Sequence, residues 1–281
     1  MPRIPRLLIN SPKAAYHIIS RTALPGYEVL GEEEKDHLLN LIRWLSQVYF
    51  VEVYGFAIMG NHFHLLCRML SEEQFSDEEV KSRIKLYYQD KRKVFFYEEL
   101  ITKWRDKLAS LSRYVQDIKQ RFSRWYNKRH ERKGYFWADR FKSVIIETGE
   151  ALLNCLAYIE LNPVRAGIVE KPEDYRWCSL GYRTRSGPDK TFLSLNLGLS
   201  AYTNKSEREQ FDLYRNFVYG KGEIGEPDNF DKAKRFTYRL RHFTESLLIG
   251  SKHFIDETKN DLKKLFTKKQ KKFICDEIYS L

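Results

Sequence analysis

The order of strand-like and helix-like segments between residues 14 and 161 restricts this chain to few folds. A run rich in β-branched and aromatic residues, Ala14 to Arg21, predicts a strand, and apolar residues at helical spacing predict a helix from Glu32 to Val48. Two further strand-like runs flank Gly60-Asn61, a pair typical of a tight hairpin turn. A long helical pattern, a strand-like run from Tyr135 to Glu147 and a helical run from Glu150 to Leu161 complete the series.

This series corresponds to one known arrangement of strands and helices. The hairpin strands are predicted at Val51 to Met59 and His62 to Met69, and the long helix carries apolar residues from Leu108 to Trp125. Strand, helix, strand, strand, helix, strand is the split β-α-β arrangement, in which helices back an antiparallel sheet. We therefore predict an α+β fold with a ferredoxin-like antiparallel sheet, followed by a seventh element, the helix that ends before Pro163.

Composition favours a negatively charged partner. The 281 residues are 42% hydrophobic, which suffices for a core, and carry a formal net charge of +11. Such a charge favours nucleic acid or an anionic surface. No run approaches the roughly 20 apolar residues that cross a bilayer, so we expect no membrane partner. The four cysteines form no C-x-x-C pair, which disfavours a zinc knuckle and fits a reducing cytoplasm.

Two segments interrupt or follow the predicted core. Residues 71–103 are charged and irregular, and we interpret them as an insertion with short helices. Arg183 to Lys190 has the Ser, Gly and Pro of a linker, which predicts a catalytic domain at 1–182 and a helical, basic C-terminal extension at 183–281. Helical patterns from Glu207 to Tyr219 and from Phe254 to Phe266 support this extension, and its lysines cluster at residues 263–272.

His62 and His64 are separated by one residue inside a predicted strand. Because side chains alternate along a strand, the two histidines share one face, while Phe63 and Leu65 share the other. Two imidazoles on a rigid strand can hold one divalent ion, provided that an acceptor fixes the other nitrogen of each ring. Taken alone, the pattern fits a pair of structural histidines equally well.

The last helix of the series carries Asn154, Tyr158 and Asn162 at a spacing of four residues. This spacing places them on one polar stripe, from which Tyr158 can point into a cleft and the Asn162 amide, one turn further on, could reach the same metal. The alternative is an amphipathic tyrosine beside an asparagine that caps the helix against Pro163. Without the histidine pair, the alternative is the favoured interpretation.

Positive charge is concentrated between the hairpin and the tyrosine helix. Residues 101–146 hold 13 Lys and Arg against 4 Asp and Glu, and aromatic residues interleave with them. Basic residues follow a phosphate backbone and aromatic rings stack on unpaired bases, so we predict a DNA-binding surface. A solvated helix face is the alternative, with Trp137 and Phe141 in the core. The predicted DNA-binding residues are Arg21, Arg121, Arg124, Lys128, Arg129, Arg132, Lys133, Arg140 and Lys142.

Four stretches of the sequence resemble, in this order, the motifs of the HUH single-tyrosine transposases, above all the REP-associated tyrosine transposases. They are Tyr16 to Arg21, Ile58 to Leu66, Gly134 to Ser143 and Tyr158 to Gly167. The third contains Gly-x-x-Trp-x-x-Arg-Phe, and the fourth begins with the tyrosine and continues as Asn-Pro-Val-Arg-Ala-Gly. The resemblance covers roughly residues 14 to 182.

The resemblance implies an HUH endonuclease fold and a transposase that cleaves and rejoins single-stranded or hairpin DNA. It implies that Tyr158 forms a 5′-phosphotyrosine intermediate and that His62 and His64 bind Mg²⁺ or Mn²⁺. In relatives a polar residue one turn after the tyrosine, usually Gln, completes the metal site. Here it is Asn162, a methylene shorter, which leaves direct and water-mediated contact both open. A second departure is Gly60, where the family usually has proline.

Two other functions remain open at this point. A domesticated protein would bind a DNA hairpin without cutting it, although the sequence lacks none of the catalytic residues. A replication initiator or relaxase of the same class usually has a helicase domain or a second tyrosine, and the tyrosine helix here offers one. The target hairpin and the choice between monomer and homodimer stay open. A DNA partner predicts a cytoplasmic, nucleoid-associated location.

Overall fold

A six-stranded sheet with helices on both faces forms the centre of the molecule. The computed structural model describes residues 9, 11, 13–24, 26–91, 93–187, 191–202, 204–222, 240–261 and 274–275. The fold is α+β, as predicted. The strands are β1 (Ala14–Arg21), β2 (Val51–Ile58), β3 (His62–Met69), β4 (Lys142–Glu147), β5 (Leu248–Ile249) and β6 (Ile274–Cys275). The helices are α1 (Glu32–Val48), α2 (Asp77–Tyr88), α3 (Glu98–Leu108), α4 (Leu111–Arg129), α5 (Glu150–Glu160), α6 (Asn162–Arg165), α7 (Ser179–Ser186), α8 (Glu207–Gly222), α9 (Leu240–Glu245) and α10 (Lys252–Asp261).

The strands lie in the order β2-β3-β1-β4-β5-β6. The first four pair antiparallel with one another, and beyond β4 the strands β5 and β6 are added by parallel pairing. Apart from the helices α2 and α3, the predicted succession of strand, helix, strand, strand, helix and strand is confirmed. The predicted antiparallel pairing is confirmed for these four strands, but β5 and β6, which were not predicted, make the whole sheet mixed. The predicted hairpin is also confirmed, because Met59 N–H donates to the carbonyl of His62 across the Gly60-Asn61 turn, at 2.8 Å.

One predicted strand is shorter than expected. The run from Tyr135 to Glu147 forms a strand only from Lys142, and before it Trp137 makes a single bridge to Thr22. The reason lies in packing. Phe136 and Trp137 both pack against Phe122 of α4, with ring centroids 5.0 and 5.5 Å from that of Phe122. Two consecutive side chains therefore point to the same side, whereas in a strand they would point to opposite sides.

The two faces of the sheet are covered by different parts of the chain. On one face Phe63 of β3 contacts Trp137, with centroids 5.4 Å apart, and α1 packs against both β2 and α4. On the other face α5 lies across β2, β3 and β4. The helix approaches so closely that a Cβ on Gly55 would lie 2.2 Å from Leu156 Cδ1, which explains a glycine inside a strand.

The predicted insertion holds all of α2 and the start of α3, which continues past the predicted end to Leu108, and the two helices pack on each other. The α2 helix begins with a capping box of Ser76 and Glu79. It is joined to α1 through Arg83, whose guanidinium donates to the carbonyls of Gln47, Val48 and Tyr49 at 2.7, 3.3 and 3.1 Å. These carbonyls end α1 and lack helical partners, so the insertion caps the first core helix.

The C-terminal part of the chain contributes both helices and strands. The pattern from Glu207 to Tyr219 lies within α8, and the pattern from Phe254 falls within α10 as far as Asp261. The lysine cluster at 263–272 lies outside the described residues. Contacts join α8 and α9 to α5, and β5 pairs with β4. The division at residue 183 stays a prediction. No described helix is long and apolar enough to cross a membrane.

A buried carboxyl group connects α5, α7 and α8. Glu160 is fully buried and accepts hydrogen bonds from the hydroxyls of Ser179, at 2.5 Å, and Tyr214. Burial raises the pKa of Glu160 to about 7, against the opposing effect of these two hydrogen bonds. The folded state therefore retains a proton on Glu160 at pH values where the unfolded chain has already lost it.

This proton makes stability depend on pH. Glu160 contributes most below its ordinary pKa of 4.5, and the contribution is lost as pH rises towards about 7. At roughly 1.4 kcal/mol per pKa unit, the free energy of unfolding of the wild type relative to that of Glu160→Gln should fall by up to about 3 kcal/mol between pH 5 and pH 8. Urea unfolding at both pH values measures this fall as the difference between the wild type and Glu160→Gln, and Glu170→Gln, an exposed control, should behave as the wild type does. A Glu160→Gln variant with the same slope as the wild type would disprove the assignment.

Candidate active site

The two hairpin histidines lie side by side on the face of the sheet that α5 covers. Their ring centroids are 5.0 Å apart and the rings are nearly perpendicular. His64 is 3% exposed, whereas His62 is half-buried and lies opposite Arg21 in the β1–β3 register. Nδ1 of His62 bonds to Oδ1 of Asn61 at 2.6 Å. The predicted shared face is confirmed, and the turn residue Asn61 orients one of the two rings.

A third histidine, which the sequence did not single out, completes this cluster. His17 of β1 is 0% exposed, and its Nε2 lies 2.8 Å from Nδ1 of His64. Its Nδ1 lies 2.8 Å from the backbone carbonyl of Phe243 in α9. His17 and Arg21 are four residues apart on β1, so their side chains point to the same face of the sheet, and Arg21 pairs with His62. The register of β1 and β3 would therefore have been enough to place His17 on the face of the histidine pair.

Burial keeps all three imidazoles neutral. Desolvation lowers the pKa of His17 to about 4, and desolvation with the nearby Arg21 charge lowers the pKa of His62 to about 4. The pKa of His64 falls well below its ordinary value for the same reason, and its histidine neighbours lower it further. At neutral pH each ring therefore retains one lone pair for a hydrogen bond or a metal ion.

Tyr158 of α5 lies beside the histidines. Its ring centroid is 6.0 Å from those of both His17 and His64, and the rings meet edge to face. The side chain is only 4% exposed, with Phe243 stacked on it at 5.0 Å. The expectation that Tyr158 faces an open cleft from a polar stripe is wrong for this conformation. Every residue of α5 from Ala151 to Glu160 is buried, because the C-terminal segments cover the outer side of the helix.

Arg165 brings positive charge to the tyrosine. It follows Tyr158 by two helical turns, and its guanidinium carbon lies 4.5 Å from the centre of the phenol ring. Burial raises the pKa of Tyr158, while Arg165 and Arg21 lower it, so the phenol is protonated at neutral pH. Burial also lowers the pKa of Arg165, to about 10, which leaves it charged. Two cations beside a phenol make this a place where a phosphate is electrostatically favoured.

Asn162 is held by its own helix turn. Its Oδ1 accepts a hydrogen bond from Arg165 at 3.0 Å, and its Nδ2 donates to the carbonyl of Ile159 at 3.1 Å. Arg165 also donates to the carbonyl of Tyr158 at 2.5 Å. The amide oxygen predicted to reach a metal is therefore shared with a guanidinium, and the role of Asn162 as a ligand stays a prediction.

The donor set fits an open cation site rather than a closed one. In the described part of the chain, no three His, Cys, Asp or Glu side chains come together as a metal cluster. His62 and His64 each use Nδ1 for a hydrogen bond, which leaves the two Nε2 atoms for a cation. A cation held by two imidazoles would have its remaining positions filled by water or by phosphate oxygens.

A separate surface carries much of the predicted DNA-binding charge. An open groove of about 1050 Å³ runs between α4 and the loop at residues 134–141, and Arg124, Arg140 and Tyr135 line it. Tyr135 is 90% exposed, so its ring face is available for stacking on a base. Trp137 and Phe141, which also line the groove, are buried, as predicted.

The nine predicted DNA-binding residues fall into two groups. Arg121 lies over the rings of Trp44 and Tyr87, Arg132 over Tyr126, and Arg129 pairs with Glu33, so these three make contacts within the protein. The other six are exposed and form no ion pair with any described residue. They are Arg21, Arg124, Lys128, Lys133, Arg140 and Lys142.

The groove arginines should set part of the salt dependence of DNA binding. Each phosphate contact to single-stranded DNA contributes roughly 0.7 to the slope of log K against log salt. Arg124→Ala with Arg140→Ala should flatten this slope by about 1 to 1.5, measured by fluorescence anisotropy at several salt concentrations. The control is Lys81→Ala, which removes a lysine that pairs with Glu78 on α2. An unchanged slope in the double variant would show that the DNA phosphates do not contact Arg124 and Arg140.

No protein-family model matches this chain, and no curated protein matches it. Among solved structures, the chain is similar to a REP-associated tyrosine transposase bound to a REP hairpin. The TM-score is 0.45 and the sequence identity 14%, and the match covers 66% of this chain and 87% of the other.

Proposed function

We propose that this protein is a DNA transposase of the HUH single-tyrosine class, which cleaves and rejoins single-stranded or hairpin DNA through Tyr158. The observation that supports it most is the position of the Tyr158 ring, 6.0 Å from His64 and 4.5 Å from the Arg165 guanidinium. In this proposal Tyr158 is the nucleophile, His62 and His64 hold the cation, and Arg165 and Arg21 supply positive charge beside the phenol. The strand order β2-β3-β1-β4 and the helix α5 across it support the ferredoxin-like HUH arrangement.

The proposed reaction exchanges one phosphodiester for another. The Tyr158 oxygen attacks phosphorus, a bond from this oxygen to phosphorus forms, and the bond from phosphorus to the 3′ oxygen breaks. The phenol loses one proton and the departing 3′ oxygen gains one, so the step needs no net proton. The 5′-phosphotyrosine conserves the bond energy, and a 3′-hydroxyl can reverse the step and rejoin DNA.

The residues around Tyr158 would serve this reaction in three ways. Arg21 and Arg165 attract the phosphate and stabilise negative charge on its non-bridging oxygens. The same cations lower the pKa of Tyr158 against the effect of burial, which eases loss of the phenol proton. His62 and His64 would hold Mn²⁺ or Mg²⁺, which would polarise the scissile phosphate. Because two of the ligands are imidazoles, we expect Mn²⁺ to bind more tightly than Mg²⁺, which prefers oxygen ligands.

The direct test uses the strand polarity of the product. A hairpin oligonucleotide with unpaired flanks, taken from the DNA around this chain's own gene, is labelled on either side of the cut. With Mn²⁺, the label on the 3′ side should enter an adduct that survives denaturant, and the label on the 5′ side should be released with a free 3′-hydroxyl. Excess EDTA should prevent both. Two released fragments without an adduct would mean hydrolysis by water and would refute the proposal.

One observation favours a second function, hairpin binding without cleavage. Tyr158 is 4% exposed and Phe243 covers its ring, so DNA does not reach the phenol in this conformation. The same oligonucleotide decides between the two, because a protein that only binds would shift the DNA on a native gel and form no adduct. Either function predicts a DNA partner and a cytoplasmic, nucleoid-associated location.

A further inference from the structure

His17 and Phe243 connect the C-terminal part of the chain to the histidine pair by two consecutive hydrogen bonds. The first joins the Phe243 carbonyl to Nδ1 of His17, and the second joins Nε2 of His17 to Nδ1 of His64, both at 2.8 Å. A carbonyl oxygen only accepts hydrogen bonds, so Nδ1 of His17 must carry the hydrogen. The Phe243 carbonyl, which is not part of the histidine pair, therefore determines which nitrogen of His17 carries its hydrogen.

The state of His17 then determines the state of His64. His17 is 0% exposed and both its nitrogens are bonded to uncharged groups, so the ring is neutral and carries one hydrogen. Its Nε2 is therefore a bare lone pair that accepts a hydrogen from Nδ1 of His64. His64 in turn is left with its lone pair on Nε2, the nitrogen that a metal ion requires.

We infer that His17 is a positioning residue that, held by the Phe243 carbonyl, fixes His64 in the Nδ1–H tautomer and so presents Nε2 of His64 to the cation. The inference rests on the proposed function, in which His62 and His64 bind the cation. The neighbouring His62 reaches the same tautomer through Asn61, a residue of its own turn. One ligand is thus oriented by its own turn, and the other is oriented through His17 by Phe243, which lies 226 residues from His17 in sequence.

The consequence is that metal affinity depends on a residue that does not bind metal. Partners that hold a metal-binding histidine by its second nitrogen typically contribute 10- to 100-fold to metal affinity. Without an acceptor beside Nδ1, His64 populates both tautomers, and one of them places a hydrogen where the cation would bind. The ring would also lose the contact that fixes its orientation on β3.

Two variants of His17 separate this role from packing. His17→Phe retains a ring of similar shape but has no acceptor for the His64 proton. His17→Gln places an amide oxygen near the former Nε2 position and should accept that proton. The matched control is His37→Phe, since His37 stacks on Trp125 at 4.0 Å, away from the site. Thermal unfolding followed by circular dichroism establishes that each variant is folded.

The first measurement needs no metal. Long-range ¹H–¹⁵N spectra report which nitrogen of each histidine carries the hydrogen, and His64→Gln identifies the His64 signals. We expect His64 of the wild type to carry its hydrogen on Nδ1, and we expect His17→Phe to populate both tautomers. A wild-type His64 with its hydrogen on Nε2 would overturn the inference, whatever the function of the protein.

The second measurement is the Kd for Mn²⁺, from the electron paramagnetic resonance signal of the free ion. We expect a Kd about 10- to 100-fold higher in His17→Phe, and a Kd near that of the wild type in His17→Gln and His37→Phe. Wild-type affinity in His17→Phe would refute the positioning role. If the wild type binds no Mn²⁺, the proposed function fails. The tautomer of His64, measured without metal, still tests whether His17 fixes the hydrogen on Nδ1.

Discussion

Tyr158→Phe should form on the order of 10³-fold less covalent DNA adduct than the wild type, because it lacks the phenol oxygen that bonds to phosphorus in the proposed reaction. The ring remains between Phe243 and Arg165, so packing and the charge around the site are retained. DNA binding should therefore change by less than about threefold. Adduct formation is measured by denaturing gel with labelled hairpin DNA and Mn²⁺, and binding by anisotropy.

Tyr126→Phe provides the matched control. Tyr126 is also a buried tyrosine, but it lies on α4, where it packs against Phe136 and stacks on His130, outside the histidine cluster. This variant should form adduct at the wild-type rate. An adduct in Tyr158→Phe would show that another tyrosine is the nucleophile, and Tyr114 and Tyr126 would be the next candidates.

Removing a hairpin histidine should have an effect of similar size. His64→Ala and His62→Ala each remove one imidazole from a site that offers two, so both variants should lose Mn²⁺ binding. Cleavage should fall on the order of 10³-fold, to the level that the wild type shows in EDTA. His64→Ala should also be less stable, by about 1 to 3 kcal/mol, because it leaves Nε2 of His17 buried without a hydrogen-bond partner.

His37→Ala removes a histidine that lies on α1 and should leave cleavage and Mn²⁺ binding unchanged. Adding Mn²⁺ to high concentration should partly restore cleavage in His62→Ala, the more exposed position, if the loss comes from weaker metal binding. Wild-type cleavage in excess EDTA, or in both alanine variants, would show that the reaction does not depend on a metal at the histidine pair.

Local patterns in the sequence were sufficient for the elements that carry the site. Alternation around Phe63 predicted that His62 and His64 share a face, and the Gly60-Asn61 pair predicted the hairpin. The spacing of apolar residues predicted α5 and hence the helix on which Tyr158 lies. These features depend on interactions within a few residues, which is why a single sequence was enough to predict them.

Contacts between distant segments were not predictable in the same way. His17 meets His64 only because β1 pairs with β3, and no local pattern states that register. Phe243 has no sequence signal at all, since its effect comes from a backbone carbonyl and a ring stacked on Tyr158. The burial of α5 follows from the C-terminal segments that cover it, so the helix appeared more exposed in the sequence than it is.

Arg165 is intermediate between these cases. It belongs to the stretch from Tyr158 to Gly167 that carries the family resemblance, but it follows Pro163, before which the sequence predicted the helix to end. The break between α5 and α6 at Leu161 agrees with that predicted end, whereas the bond from Arg165 to the carbonyl of Tyr158 was not visible in the sequence. The structure therefore adds the cation that the spacing alone did not reveal.

The most direct test of the account is the position of the covalent bond between protein and DNA. The adduct formed with Mn²⁺ is digested with trypsin and nuclease, and the modified peptide is sequenced by mass spectrometry. The account predicts a nucleotide 5′-phosphate on the phenol oxygen of Tyr158, in a peptide that ends at Arg165. A nucleotide attached to any other residue, or a 3′-phosphate on Tyr158, would contradict it.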